Sequence, residues 1–183
     1  VSLLYVRLAA LSTSEELAQA AEEQSTRTLT VASTRGQIYD CRYQPLVNRD
    51  TRYLAAVLPK PENFDKVLGA VDESQREDTL ALLQQGDPFV IEVNKKITDT
   101  DGVEIFEIPV RYRDEQNAVH IIGYVNGEGA GTTGIEAAYE EILQKYAVST
   151  TVTYSLDGMG RELAGAKPEV RDPVPSTGGM VLT

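Results

Sequence analysis

The sequence has few side chains suited to catalysis. It contains one histidine, His120, and one cysteine, Cys41, which excludes mechanisms that need two histidines, an intrachain disulfide or a zinc site built from cysteines. His120 would need a nucleophile or water within reach to act as a general base, and in its apolar stretch we expect a core histidine. Cys41 lies beside Arg42, but one neighbouring charge does not make a reactive thiolate, so we interpret Cys41 as a half-buried structural residue.

Two other patterns resemble ligand sites without completing them. The glycine-rich loop at 127–131 precedes a predicted helix, but it lacks the Gly-Lys-Ser/Thr of a P-loop, and Glu128 at its centre would repel phosphate. Asp99, Asp101 and Glu104 lack the remaining ligands of an EF-hand loop, so a turn is the better interpretation. We therefore predict neither a metal nor an organic cofactor.

Arg35 and Glu136 have a more specific chemistry. Arg35 precedes a glycine between two predicted strands, and Glu136 lies in the first turn of a predicted helix, where the capping geometry and the helix dipole favour a carboxylate. A guanidinium fork bound to that carboxylate would join two segments that are far apart in the sequence. The sequence leaves open whether the two residues meet. The adjacent acidic pairs, Glu15-Glu16 and Glu140-Glu141, point about 100° apart on a helix and are interpreted as solvated faces.

The composition limits the classes of partner. The chain has 183 residues, of which 42% are hydrophobic and 25% charged, as in an ordinary globular protein. Its net charge of −11 and the absence of a Lys/Arg cluster argue against nucleic acid or an anionic membrane surface as a partner. No run approaches the ~18 apolar residues of a membrane span. The start at Val1 and the strand-like end at Thr183 are expected of a fragment of a longer protein.

Hydrophobic patterning predicts an α+β fold. The predicted strands lie at 26–32, 37–40, 53–58, 89–93, 103–108, 119–125 and 148–156, and another opens at 179. The predicted helices lie at 14–25, 61–71, 74–85 and 135–146, and the Pro/Gly-rich segment 165–179 is expected to be a linker or crossing connection. Because the middle of the chain changes character, we predict a small α+β head subdomain at 59–110, inserted into a main domain made of 1–58 and 111–183.

Five segments, in the same order, resemble the N-terminal non-catalytic, or dimerisation, domain of class B penicillin-binding proteins. The most specific is Arg35-Gly36-Gln37-Ile38-Tyr39-Asp40, which is similar to the family's Arg-Gly-x-Ile-x-Asp signature, although Cys41-Arg42-Tyr43 stands where the family often has Arg-Asn-Gly. The other segments are the helix and strand at 20–27, the His-x-Ile-Gly-Tyr-like strand at 120–125, the Gly-Leu-Glu-x-x-Tyr-like helix at 133–140 and the Val-x-Leu-Thr-like strand at 179–183.

The resemblance implies a fold and a role. The fold would be an elongated pedestal with the inserted head, and the role would be to position and support a downstream transpeptidase and to offer surfaces to other proteins. The family's catalytic motifs, Ser-x-x-Lys, Ser-x-Asn and Lys-Thr-Gly, are absent from these 183 residues, so this chain would not itself be an enzyme. The residues expected to form an internal network at the base of the module are Arg35, Gly36, Asp40, Arg111, Gly134 and Glu136.

The resemblance also implies a location and partners. The location would be the outer face of the bacterial cytoplasmic membrane, held by an N-terminal anchor preceding Val1. The partners would be the chain's own transpeptidase domain, membrane proteins of division, elongation or sporulation, or a second copy in a homodimer.

Two alternatives remain open. One is a stand-alone extracytoplasmic module that binds cell-wall material and has no transpeptidase attached. The other is a small acidic hydrolase that uses His120 with Glu128 or Glu136.

Overall fold

The computed structural model describes residues 26–98, 100–113, 118–157, 160–163, 165–173 and 177–182. The predicted helix at 14–25 lies outside these residues. The described residues form a mixed α and β structure, which is consistent with the predicted α+β class. No helix among them is both long and apolar enough to cross a membrane.

Groups of strands and groups of short helices follow one another along the described chain. The strands are β1 (Thr26–Thr34), β2 (Gln37–Tyr39), β3 (Asp50–Val57), β4 (Phe89–Val93), β5 (Val103–Val110), β6 (Val148–Ser155), β7 (Glu169–Arg171) and β8 (Gly179–Val181). The helices are α1 (Phe64–Leu68), α2 (Arg76–Gln85), α3 (Val119–Ile122), α4 (Gly134–Ala138) and α5 (Glu140–Lys145), with 3₁₀ turns at Pro61–Asn63 and Glu73–Gln75.

The strands form three small sheets. One sheet has the strand order β1-β6-β7, and a second is the antiparallel sheet β4-β3-β5. The third is the parallel pair β2-β8, in which Gln37 lies opposite Gly179 and Tyr39 opposite Val181. This pair brings the segment after β1 beside β8, the last strand among the described residues.

The chain divides into two compact units. The larger comprises Leu29–Val152 and Val170–Thr183, and the smaller comprises Val1–Thr28 and Thr153–Glu169. The predicted head at 59–110 stays a prediction. Its strands β4 and β5 both pair with β3, which the prediction assigned to the main domain.

The larger unit has a hydrophobic core on one face of the β4-β3-β5 sheet. Successive side chains of β3 point to opposite faces of the sheet. On one face, Ala55 and Val57 pack in one cluster with residues of α1 and α2. α2 ends at Gly86, whose φ of 85° is the left-handed conformation that glycine adopts at helix ends. The fully or almost fully buried members of this core are Ala55, Val57, Val67, Ala70, Val71, Leu83 and Val93.

A second core of the larger unit lies beside the β2-β8 pair. Ile38 of β2 is completely buried, as are Ile122 of α3 and Leu143 of α5. Val47 and Ile135 complete the cluster. This core positions the segment around Arg35 next to α4 and α5.

The smaller unit contains a tight hairpin at the end of β6. Leu156 pairs with Glu162 in an antiparallel bridge. The carboxylate of Asp157 accepts hydrogen bonds from the backbone N–H of Arg161 at 2.9 Å and from its Nε at 3.0 Å. These contacts hold Asp157 and Arg161 together across the hairpin.

Three predictions about local structure are wrong. The segment at 119–125 begins with the short helix α3 instead of a strand, because Ala118 (φ 56°) and Gly123 (φ 82°) at its two ends lie in the left-handed half of backbone space. The helix predicted at 135–146 is divided into α4 and α5 at Tyr139, whose φ of −121° and ψ of 30° are not helical. The expected connection at 165–179 contains β7.

Candidate functional site

A buried carboxylate, that of Glu136, is the centre of a cluster of charged and polar side chains in the larger unit. Its side chain is 0% exposed, which is costly for a charge unless partners surround it. Its Oε1 accepts hydrogen bonds from Nε of Arg111 at 2.8 Å and from the hydroxyl of Tyr112 at 3.1 Å. Its Oε2 lies 3.2 Å from Nε of Arg35. The carboxylate is therefore held between two guanidinium groups.

Arg35 binds a second carboxylate at the same time. Its Nη1 and Nη2 donate to the two oxygens of Glu140, at 3.1 and 2.7 Å, in the bidentate geometry that the planar guanidinium favours. Nη1 also donates to the backbone carbonyl of Gly129. One arginine, 7% exposed, thus joins the end of β1 to α4, to α5 and to the glycine-rich loop.

The cluster alters the protonation of two of its members. The hydrogen bond from Arg35, which outweighs the opposing effect of burial, and those from the Gly131 N–H and the Gln144 amide lower the pKa of Glu140 to about 2. Burial, followed by the negative charge of Glu136, raises the pKa of Tyr112 to about 12. At neutral pH Glu140 is therefore an anion and Tyr112 a neutral hydrogen-bond donor.

We expect Glu140→Gln to flatten the acid dependence of stability. Because the pKa of Glu140 is lower in the folded chain than its ordinary 4.5, its contribution is fully present above pH 4.5 and is lost as the pH falls towards 2. Urea unfolding at several pH values between 5 and 2.5 should give a shallower decrease for Glu140→Gln than for the parent. The neighbouring exposed Glu141, replaced in the same way, is the control and should reproduce the parent curve. Equal slopes for Glu140→Gln and the parent would contradict the assignment.

Arg111 and Gly36 connect the cluster to the β2-β8 pair. Arg111 directly follows β5, and its Nη1 donates to the carbonyl of Gly36 at 2.8 Å. The N–H of Gly36 donates to the carbonyl of Leu143 in α5 at 2.9 Å. A Cβ on Gly36 would lie 3.2 Å from the backbone oxygens of Gly178 and Leu143, so this position has little room for a side chain.

Gly134 serves the site through close backbone packing. It begins α4 with a φ of 60°, and a Cβ there would lie 2.7 Å from the backbone nitrogen of Gly123. The approach of Gly134 to Gly123 holds the end of α3 against the start of α4, two residues before Glu136. A residue larger than glycine would force these backbones apart.

Asp40 is the exception among the six predicted network residues. Its Oδ1 accepts hydrogen bonds from the backbone N–H groups of Arg42 at 2.9 Å and Gln44 at 2.8 Å. This is the local turn chemistry of an aspartate. Asp40 thus shapes the exit from β2, whereas Arg35, Gly36, Arg111 and Glu136 meet directly.

Two members of the cluster were absent from the prediction. Glu140 was interpreted as solvated, but it lies four residues after Glu136, a spacing that can place two carboxylates on one side of a helical segment. That spacing was a usable signal. Tyr112 gave none, because its hydroxyl reaches Glu136 only through the path of the chain after β5.

The other chemical candidates are placed differently from the prediction. His120 is exposed on α3 and is not a core residue, and Cys41 is also exposed. Asp101 accepts a hydrogen bond from Nζ of Lys60 at 2.6 Å. Among the described residues no group of three or more histidine, cysteine or acidic side chains could hold a metal ion. Because Glu136 is enclosed by arginines, its carboxylate is not open to a water nucleophile.

Comparison with known proteins gives matches only among solved structures. No protein-family model matches the chain. No curated protein matches it. Two similar structures are penicillin-binding proteins. One is the complex between the penicillin-binding protein PBP2 and MreC from Helicobacter pylori, at 20% identity and a TM-score of 0.40, covering 83% of this chain and 35% of that one. The other is penicillin-binding protein 2X from Streptococcus thermophilus, at 20% identity and a TM-score of 0.42, covering 80% of this chain and 28% of that one.

The chain therefore spans about a third or less of the length of these structural neighbours.

Proposed function

We propose that the chain is the non-catalytic N-terminal module of a class B penicillin-binding protein. In this proposal it serves peptidoglycan synthesis by positioning and supporting a transpeptidase domain that follows it in a longer protein. The module would be an elongated pedestal with an inserted head, at the outer face of the bacterial cytoplasmic membrane and anchored by a segment before Val1. The chain itself would be no enzyme, since the transpeptidase motifs are absent from its sequence.

The observation that carries the proposal is the contact between Arg35 and Glu136. Arg35 belongs to one segment that resembles the family, and Glu136 belongs to another about a hundred positions later. Their buried ion pair, with Nε of Arg35 3.2 Å from Oε2 of Glu136, joins the two segments in the folded chain. A cluster whose charges are bound to one another is suited to hold a scaffold together rather than to turn over a substrate.

The positions of β2 and β8 are a second support. The cluster reaches β2 through Gly36, and β2 pairs with β8 at residues 179–181. In the family the strand that β8 resembles leads into the transpeptidase domain. A rigid base at this place would fix where the following domain begins.

The proposed partners follow from the same role. They are the transpeptidase domain that follows in the chain and membrane proteins of division, elongation or sporulation, with homodimerisation as a further contact. The Helicobacter pylori neighbour is a complex with MreC.

The test is to label the native protein that contains this chain with a fluorescent penicillin. We expect covalent labelling of the full-length protein, with the label in a proteolytic fragment that lies outside residues 1–183, and no labelling of the 183-residue chain alone. Replacing the serine of a downstream Ser-x-x-Lys motif by alanine should abolish the signal. If the full-length protein carries no label and instead sediments with purified cell-wall material, the stand-alone binding module replaces the proposal.

A further inference from the structure

A small cavity lies beside the arginine–glutamate cluster in the larger unit. Its volume is about 200 Å³. Arg35 and Arg111 line it together with polar residues from three other segments, namely Asn48, Glu128 and Gln144. Drug-sized ligands usually occupy about 300–1,000 Å³, so a cavity of this size suits a single side chain better than a larger molecule.

The positive charges around the cavity are paired with carboxylates, whereas one negative charge of the lining is not. The guanidinium groups of Arg35 and Arg111 are matched by the carboxylates of Glu136 and Glu140, so these four side chains sum to zero. Glu128 is the remaining charged residue of the lining. Its side chain is exposed, and within the described part of the chain it takes part in no salt bridge. The uncompensated charge at the cavity is therefore negative.

The loop that carries Glu128 is held in place by hydrogen bonds within the chain itself. The side-chain Oδ1 of Asn126 accepts hydrogen bonds from the N–H groups of Glu128 at 3.0 Å and Ala130 at 2.9 Å. The same loop is attached to the cluster at Gly129, whose carbonyl accepts from Arg35, and at Gly131, whose N–H donates to Glu140 at 2.8 Å. A site ordered in this way loses little conformational entropy on binding.

The neutral groups of the lining add hydrogen-bond acceptors. Gln144 donates its amide nitrogen to Glu140 at 3.2 Å, which leaves its carbonyl oxygen as an acceptor. Asn48 is held by its backbone N–H, which donates to the Arg111 carbonyl at 3.1 Å, and it is one of the residues that line the cavity. Acceptors beside an unpaired carboxylate favour a ligand that is a cation and a donor of several hydrogen bonds.

We propose that this cavity receives one cationic side chain, a guanidinium or an ammonium group, from a protein partner, with Glu128 as its counter-ion. An anion would be repelled by Glu128, and a neutral amide would leave that carboxylate unpaired. The net charge of −11 also draws a basic segment towards the chain. The inference deepens the proposed function and rests on it for the kind of partner, a protein.

The test uses the isotope-labelled chain and N-acetyl-arginine amide as a probe, followed by NMR. We expect saturable shifts of the backbone amides of Gly129 and Gln144, and none from the glutamine or glutamate analogues of the probe. Glu128→Gln should weaken binding about fivefold, the effect of losing one partly exposed ion pair. The matched control is Glu77→Gln, an equal charge change on an exposed residue of α2 outside the cavity lining, and it should leave the affinity unchanged.

Any one of four results would overturn the inference. They are shifts at Gly129 and Gln144 that are equally strong in Glu128→Gln, a preference for the glutamate probe, and shifts that do not saturate or that Glu77→Gln weakens as much. Penicillin labelling of the full-length protein does not depend on this cavity. A failed titration with successful labelling therefore refutes the cation site alone, whereas failed labelling with a successful titration refutes the proposed function alone.

Discussion

Replacing Glu136 by alanine should lower the free energy of unfolding by about 3–5 kcal/mol, the range observed when one partner of a buried ion pair is removed. The side chain is completely buried and lies between Arg35 and Arg111, which are 7% and 14% exposed. Without the carboxylate, both guanidinium groups would face each other in a site with little access to water. Arg35 would keep Glu140, but Arg111 would keep only the carbonyl of Gly36 among its observed acceptors. Urea unfolding at pH 7 measures the effect directly.

Two controls separate the loss of charge from the loss of volume. Glu136→Gln keeps the shape of the side chain and one acceptor oxygen. Its free energy of unfolding should therefore be higher than that of Glu136→Ala but clearly lower than that of the parent. Glu141→Ala removes an exposed carboxylate from the next turn and should stay within about 0.5 kcal/mol of the parent. If Glu136→Ala unfolds at the same urea concentration as Glu141→Ala, the cluster does not stabilise the fold.

Gly123→Ala is expected to cost about 3 kcal/mol or more, because it combines a backbone conformation essentially restricted to glycine with a steric overlap. Gly123 has a φ of 82° and a ψ of −162°. A Cβ at this position would overlap the carbonyl of Thr133, directly before α4. Relief of the overlap would move α3 away from α4 and displace Glu136 from its arginines. The variant should therefore show a lowered unfolding midpoint and shifted amide signals at 134–136.

The matched control lies four residues later in the same segment. A Cβ on Gly127 would have no atom within 4 Å, and its φ is not positive. Gly127→Ala should therefore be neutral or stabilise the chain by up to about 1 kcal/mol, since alanine restricts the unfolded chain more than glycine does. A comparable loss of stability in both variants would show that the close contact of α3 with α4 is not the cause.

The ion pairs of Glu136 and the close contact of α3 with α4 depend on the same physical requirement. A buried carboxylate is tolerated only while its donors are held in place, and here those donors come from the end of β1 and from the segment after β5. The glycines at 123 and 134 set how closely α3 and α4 approach, and α4 carries the carboxylate. A substitution that moves α3 away from α4 is therefore expected to weaken the ion pairs of Glu136 as well.

The sequence predicted those elements whose pattern is local. β1 was predicted from alternating β-branched residues, and β4 from a short apolar run that follows Gly86-Asp87-Pro88. α2 was predicted from its leucines and the glycine that ends it. These assignments are confirmed because each depends on neighbours within a few residues.

The errors occur where the local pattern is ambiguous. An apolar run of four to eight residues fits a buried strand and a buried helix equally well, and Val119–Ile122 became a helix because Gly123 must turn beside Gly134. The division of α4 from α5 at Tyr139 has the same origin. Hydrophobic periodicity predicts one continuous helix. In the folded chain the glycine-rich loop places Gly131 against the carbonyl of Glu136. Arg35 also binds one carboxylate on each side of the break, Glu136 and Glu140.

What the sequence determined by itself was the composition, the net charge, most of the secondary structure and the residue types of a polar pair, Arg35 and Glu136. What only the tertiary structure decided was that this pair meets, that Tyr112 and Glu140 join it and Arg111 in one cluster, and that Asp40 serves a local turn instead. The physical reason is that secondary structure depends on contacts close along the chain, whereas a buried ion pair depends on where distant segments are packed. Burial then makes every unmatched charge costly, so the final set of partners is fixed by the fold.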